Sequence, residues 1–192
     1  MSLQKSATFL ILLWLSLLLV MTPCFAQNKQ EHQQLNLNYQ RLKASFQHLN
    51  IDTLEQIYVD DAVYISESQD KDIIIGKQNV INLYQTFFKK IRHKKARIDI
   101  DFRVVARQIS SNQATDVGYY LMRFHPDAES GDTVSEFAGK FVSVLTRSSD
   151  GHWQINIDSN TRSKPEYYYS AKPVPNWYYG QQFMATTQSA NQ

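Results

Sequence analysis

The sequence predicts an α+β fold in which helices pack on one face of a curved antiparallel sheet. Three observations carry that prediction. Leu35, Tyr39, Leu42, Phe46 and Leu49 recur at spacings of four, three, four and three, which draws one apolar stripe down an amphipathic helix. From Arg97 onward the apolar pattern changes period, and alternation in steps of two dominates. Finally, Gly139 to Asn160 reads as two alternating runs joined by Ser148-Ser149-Asp150-Gly151. Asp-Gly between such runs marks a hairpin, because the turn needs a positive φ that glycine adopts without strain.

The first 26 residues stand apart from the fold. Lys5 is a lone positive residue, Ala7 to Val20 is an apolar run, and Met21 to Ala26 adds a helix-breaking proline and a final small residue. This is the pattern of a secretory signal peptide cleaved after Ala26. The run falls short of the roughly 18 to 20 residues that span a bilayer, so no stable membrane anchor is expected after cleavage, and the protein is expected to be exported to a periplasm or secreted. Cys24 is the only cysteine. The mature chain would hold no disulfide, no thiolate ligand and no cysteine nucleophile. A formal net charge of +2 implies no strongly acidic or basic partner.

Residues 27–163 form the predicted domain. After the first helix, Asp52 and Glu55 read as a capping box opening a second short helix with Leu54, Ile57 and Tyr58 turned inward. Asp60-Asp61 ends it. Ala62 to Ser66 reads as a strand, Glu67 to Asp72 as a turn, and Ile73 to Ile75 as a short apolar run stopped by Gly76. Lys77 to Arg92 is the third helix, with Val80, Ile81, Tyr84, Phe87, Phe88 and Ile91 on one face. Four strands follow as an antiparallel meander. In the first, Ile98, Ile100, Phe102 and Val104 oppose Arg97, Asp99, Asp101 and Arg103; Ala114 to Phe124, Val134 to Thr146 and His152 to Asn160 supply the others. Residues 164–192 form a tail with Pro165, Pro173 and Pro175 among Tyr167, Tyr168, Tyr169, Trp177, Tyr178, Tyr179 and Phe183. So many rings call for a docking surface.

The residues Tyr58-Val59-Asp60-Asp61-Ala62-Val63-Tyr64, Gly76-Lys77 with Val80 and Ile81, and Asp116, Gly118 and Tyr119 add up in order. With Gly139-Lys140, Asp150-Gly151, Trp153, Asp158 and Asn160 they resemble the nuclear transport factor 2-like superfamily, in its SnoaL-like and calmodulin-kinase-association-like branch, from about Gln30 to Ser163. The resemblance implies a cystatin-like cone of bent antiparallel sheet wrapped by three helices around an apolar cavity. It also implies frequent dimerisation through the outer sheet face. The superfamily holds isomerases, cyclases, dehydratases and members without chemistry, so the fold alone licenses no function. The tail lies outside the family pattern.

On this footing the expected role is binding of a small, partly apolar molecule, with Tyr58, Tyr64, Tyr84, Tyr119, Phe137, Phe141 and Ser143 as cavity wall. No cofactor and no metal are expected. The five histidines show no ligand spacing, and the acidic loop Asp127 to Asp132 misses the EF-hand pattern. Isomerase-type chemistry would need an inward carboxylate beside hydroxyl donors. Trp153, Ile155 and Ile157 define the apolar face of the last strand, which puts Asp158 on the opposite face, in a structural role, unless a bulge intervenes. Asp116 and Glu136 cannot be placed by parity. No residue is therefore assigned a catalytic role. The basic cluster from Lys89 to Arg97 reads as cations favoured at a helix C-terminus rather than as a nucleic-acid site. Two strands are apolar on both faces: Val117, Tyr119 and Leu121 oppose Tyr120, Met122 and Phe124, and Phe137, Phe141 and Leu145 oppose Ala138, Val142 and Val144. Both faces must then be covered, the outer one by the tail, a second subunit or another exported protein. Homodimerisation through that outer face is the expected assembly.

Overall fold

The computed structural model describes residues 29–183; the signal-peptide reading lies outside the described residues. Helix α1 covers 29–48, and its predicted stripe is the buried one, with Leu35, Tyr39, Leu42 and Phe46 each at most 5% exposed. Helix α2 is a single turn, Asp52–Glu55. The expected capping box does not form: Ile51 occupies the N-cap without a side-chain bond, and the Asp52 N–H is met by the Asn50 side chain at 2.9 Å. Tyr58 is not helical either. It opens strand β1, Tyr58–Ile65, because β pairing with the last strand outweighs the short helical pattern. Strand β2, Ile74–Ile75, completes the predicted early hairpin.

Helix α3, Lys77–His93, buries Val80, Ile81, Tyr84, Phe88 and Ile91. The meander follows as β3 Arg97–Ile109, β4 Gln113–His125, β5 Ser135–Arg147 and β6 Trp153–Ser163. Its final turn is the predicted one: Gly151 has a φ of 86°, and the Ser148 N–H donates to the His152 carbonyl at 2.8 Å.

The sheet order is β2-β1-β6-β5-β4-β3. All neighbours are antiparallel except β1 and β6, which run parallel. That pairing joins the early hairpin to the far end of the meander, a long-range contact with no local sequence signal. Helices α1 and α3 cover the concave face and share one core with the inward residues of β3 to β6.

The tail docks on the same chain. Helix α4, Pro165–Ser170, lies against β4 and β5. There Tyr168 and Phe183 bury themselves with Leu121 and Ala138 in a second apolar cluster on the convex face. The segment beyond α4 then caps the free edge of β3. The Val104 N–H donates to the Tyr178 carbonyl and the Gly180 N–H to the Phe102 carbonyl, at 2.9 and 2.8 Å. Backbone pairing of this kind quenches an open sheet edge. Among the outward charged residues of β3, Arg97 stays exposed, but the tail covers Asp101 and Arg103. Asp99, Asp101 and Arg103 are all buried.

Candidate functional site

A cavity of about 660 Å³ opens between the concave sheet and helices α1 and α3. Its walls are overwhelmingly apolar: Leu42 and Phe46 from α1, Phe87 and Ile91 from α3, and Ile98, Ile100, Phe102, Met122, Phe124 and Phe141 from the sheet. These positions follow from the periodicities of helix and strand, since each element turns its apolar face inward.

The buried charged exception is Asp158. Leu145 pairs with Ile155 and Val144 with Ile157, so β6 carries one extra residue against β5. A bulge of this kind reverses the alternation beyond it. Ile155 faces the core, Ile157 is turned out, and Asp158 swings into the cavity opposite Ser143. The expectation that Asp158 points away is therefore overturned, and a carboxylate does line the pocket. β1 breaks register at the same level, with Tyr58 opposite Ile155 and Val63 opposite Ile157.

Asp158 sits in a polar cluster. Tyr58 Oη donates to Asp158 Oδ2 at 2.8 Å, and Asn160 Nδ2 donates to Oδ1 at 3.1 Å. With Tyr58 donating to the carboxylate, its oxygen is free to accept from Tyr84 Oη, 3.1 Å away. Burial raises the Asp158 carboxyl above its ordinary value, and the bonds from Tyr58 and Asn160 pull only part of the way back. Burial also pushes the hydroxyls of Tyr58, Tyr84 and Tyr64 upward, reinforced for each by the charge of Asp158. They stay protonated and act as donors. Tyr120 completes the wall: its ring lies across Gly139, where a Cβ would stand 2.3 Å from it, and its hydroxyl donates to Glu67 at 2.8 Å.

Of the predicted wall residues, Tyr64, Tyr84, Phe137, Phe141 and Ser143 line the cavity. Tyr58 stands one layer behind and reaches the site through Asp158. Tyr119 is not in the wall. It faces the convex side, stacked on Tyr167 with ring centroids 6.1 Å apart, because Tyr120 takes the inward register on β4. Sequence reasoning missed Tyr120: its alternation with Met122 and Phe124 was visible, but the wall was assigned to the opposite face through Tyr119. The other two unplaced carboxylates are also resolved. Asp116 is buried and engaged by Arg107 and Tyr39 at 2.6 to 2.7 Å, away from the cavity lining. Glu136 is on the convex face with Arg123 and Tyr169. Among the described residues no group of three or more His, Cys, Asp or Glu side chains is gathered to hold a metal ion.

The family model of the SnoaL-like domain matches residues 35–157. The chain belongs to the SnoaL-like domain family. Solved structures agree on the fold. A conserved protein from Planctomyces limnophilus superposes with a TM-score of 0.58 at 19% identity, over 68% of this chain and 94% of that one. A ketosteroid isomerase-like protein from Erwinia carotovora gives 0.50 at 17% identity, over 64% and 88%. A nuclear transport factor 2-like protein with a cystatin-like fold from Novosphingobium aromaticivorans gives 0.60 at 10% identity, over 73% and 86%. At such identities the likeness is one of fold. No individually curated protein matches the chain significantly. The SnoaL-like match includes the β6 bulge but stops short of Asp158 and of the edge-capping tail.

Proposed function

We propose that this SnoaL-like domain captures a small, mainly apolar molecule in the cavity and fixes its polar end at Asp158 and the surrounding tyrosines. One observation carries the reading: an apolar hollow of about 660 Å³ converges on a single buried carboxylate. That volume lies within the roughly 300–1,000 Å³ of small-molecule pockets, which combine apolar walls with a few convergent polar groups. Titration with the neutral fluorophore N-phenyl-1-naphthylamine tests it. Saturable, one-to-one fluorescence enhancement supports the reading, and absence of enhancement contradicts it.

The placement of Asp158 favours a second reading, cofactor-free proton transfer of the isomerase, cyclase or dehydratase type. Such chemistry needs a carboxylate able to take a proton from carbon and hydroxyl donors for the oxygen that becomes negative. Asp158 would serve as the base, and Tyr84 or Tyr64 as the donor. The fold is shared with a ketosteroid isomerase-like protein, which supports this reading. Conjugation of 3-cyclohexen-1-one, followed by ultraviolet absorbance, is the assay. Catalysis that is lost in Asp158→Asn supports this reading, and equal rates in both proteins sink it.

Export belongs to the same proposal and rests on the composition of residues 1–26. Fractionation of an expressing bacterium, with N-terminal sequencing of the product, should find a chain beginning at Gln27 outside the cytoplasm. An uncleaved cytoplasmic chain would contradict it.

A further inference from the structure

Two members of the basic cluster at the end of α3, Lys90 and Lys94, line the mouth of the cavity while staying exposed. Leu83, Tyr84, Phe87, Lys90 and Ile91 of α3 and its C-cap Lys94 line the cavity, a single stripe at helical spacing. At about 1.5 Å of rise per residue, Lys90 and Lys94 stand about 9 and 15 Å farther along the helix than Tyr84. Tyr84 is buried beside the Asp158 cluster, whereas Lys90 and Lys94 are exposed, so the stripe runs from a closed floor to an open rim.

The charges at that rim are unbalanced. Besides Asp158, the charged lining residues are Glu67, Lys90, Lys94 and Arg162. Glu67 already accepts from Tyr120 at 2.8 Å and lies 3.6 Å from Arg162. Among the described residues neither Lys90 nor Lys94 has a carboxylate within 4 Å; the ammonium of Lys94 instead lies over the Phe124 ring, 5.9 Å from its centroid. A low-dielectric hollow under uncompensated cations focuses their field on whatever enters.

We infer that the ligand is an amphipathic carboxylate, its anionic head held at the rim by Lys90 and Lys94 and its apolar body directed toward Asp158. This rests on the pocket reading above and names the class of molecule that fits it. The span from the lysines to the polar floor sets a length of about 9–15 Å, that of a medium-chain acid or a two-ring aromatic acid. A hydroxyl or carbonyl at the far end would meet the Asp158 cluster.

The test is displacement of bound N-phenyl-1-naphthylamine by octanoate and by 1-octanol, which share a chain and differ in charge. Wild-type protein is compared with Lys90→Gln/Lys94→Gln at low and high salt, and circular dichroism verifies folding of the variant. Removing the two lysines should weaken octanoate relative to octanol by about three- to tenfold, as for two partly exposed ion pairs. High salt should shrink the wild-type preference in the same direction. An octanoate-to-octanol ratio that is the same in both proteins overturns the inference and leaves the pocket reading standing. If the fluorophore does not bind at all, both fall.

Discussion

The hydroxyl of Tyr58 and the carboxylate of Asp158, 100 residues apart in sequence, meet at 2.8 Å in the floor of the cavity. The contact exists because β1 and β6 pair in parallel and both break register there. With Asn160 it gives each carboxylate oxygen a donor, which offsets only part of the rise in proton affinity that burial causes. Tyr58→Phe should therefore cost about 1–3 kcal/mol at neutral pH, the penalty for a buried acceptor stripped of its partner. Urea denaturation measures it. The cost should shrink in acid, where the carboxyl is neutral.

Asp158 also makes a pH prediction. Its folded value lies above 3.8 because burial disfavours the charged form. Between the unfolded and folded values the native state therefore holds more protons than the unfolded state, and stability falls as pH rises. The stabilising contribution is fully present below the unfolded value and is lost as pH passes the folded value. Stability of the wild type minus that of Asp158→Asn, from urea melts at a series of pH values, should decline upward from about pH 4. A flat or rising difference would show that burial does not raise the carboxyl in the folded protein.

The limits of sequence reading are visible at this same site. Parity along β6 was legible as far as Ile155, and a single inserted residue then inverted it. A bulge leaves no reliable mark in one sequence, because any small polar residue tolerates the extra position. Tyr58 was read as helical because Leu54, Ile57 and Tyr58 fit a helical face, while its strand partner lies in the last strand. By contrast, the stripe of α1, the face of α3 and the Asp150-Gly151 turn depend on local spacing and were all legible. Local rules place Tyr84 and Phe141 in the wall; only tertiary pairing decides between Tyr119 and Tyr120.

The tail is a structural clasp. Arg103 donates to the carbonyls of Tyr168, Tyr169, Gly180 and Phe183 at 2.7 to 3.2 Å, and its guanidinium lies over the rings of Tyr168 and Tyr179 at 4.2 and 4.4 Å. Truncation after Ser163 should cost about 3–6 kcal/mol from Tyr168 and Phe183 alone, at 1.5–3 kcal/mol for each buried ring. It also exposes the β3 edge and the Leu121 face beside the already exposed Val117 and Val142. Light scattering should then report greater self-association than in the full chain, for which a homodimer through the outer face remains our proposal. Unchanged melting and unchanged mass would refute the clasp.

One glycine tests the clasp with less disruption. A Cβ on Gly180 would stand 2.1 Å from the Asp101 carboxylate, which accepts from the Gln182 N–H at 2.9 Å and the Tyr178 hydroxyl at 3.1 Å. Gly180→Ala should cost about 1–3 kcal/mol, as overpacking does, and should raise hydrogen exchange at Val104 and Gly180. Wild-type protection at both amides would show that the edge pairing does not depend on this approach.

The ion pair of Arg107 and Asp116 is wholly buried, both side chains being 0% exposed. Asp116→Ala strands the guanidinium and should cost about 3–5 kcal/mol in chemical denaturation. The double variant Arg107→Met/Asp116→Leu should cost less than that single change, since it leaves no orphaned charge. The reverse order would mean that the pair itself supplies net stability.

The most direct measurement of the central claim is methyl NMR of the protein titrated with N-phenyl-1-naphthylamine. The account predicts saturable shifts at the cavity methyls of Leu42, Ile91, Ile98, Ile100 and Met122, with Val117 and Val142 on the outer face unmoved. Shifts confined to the outer valines, or none at the inner methyls, would contradict it.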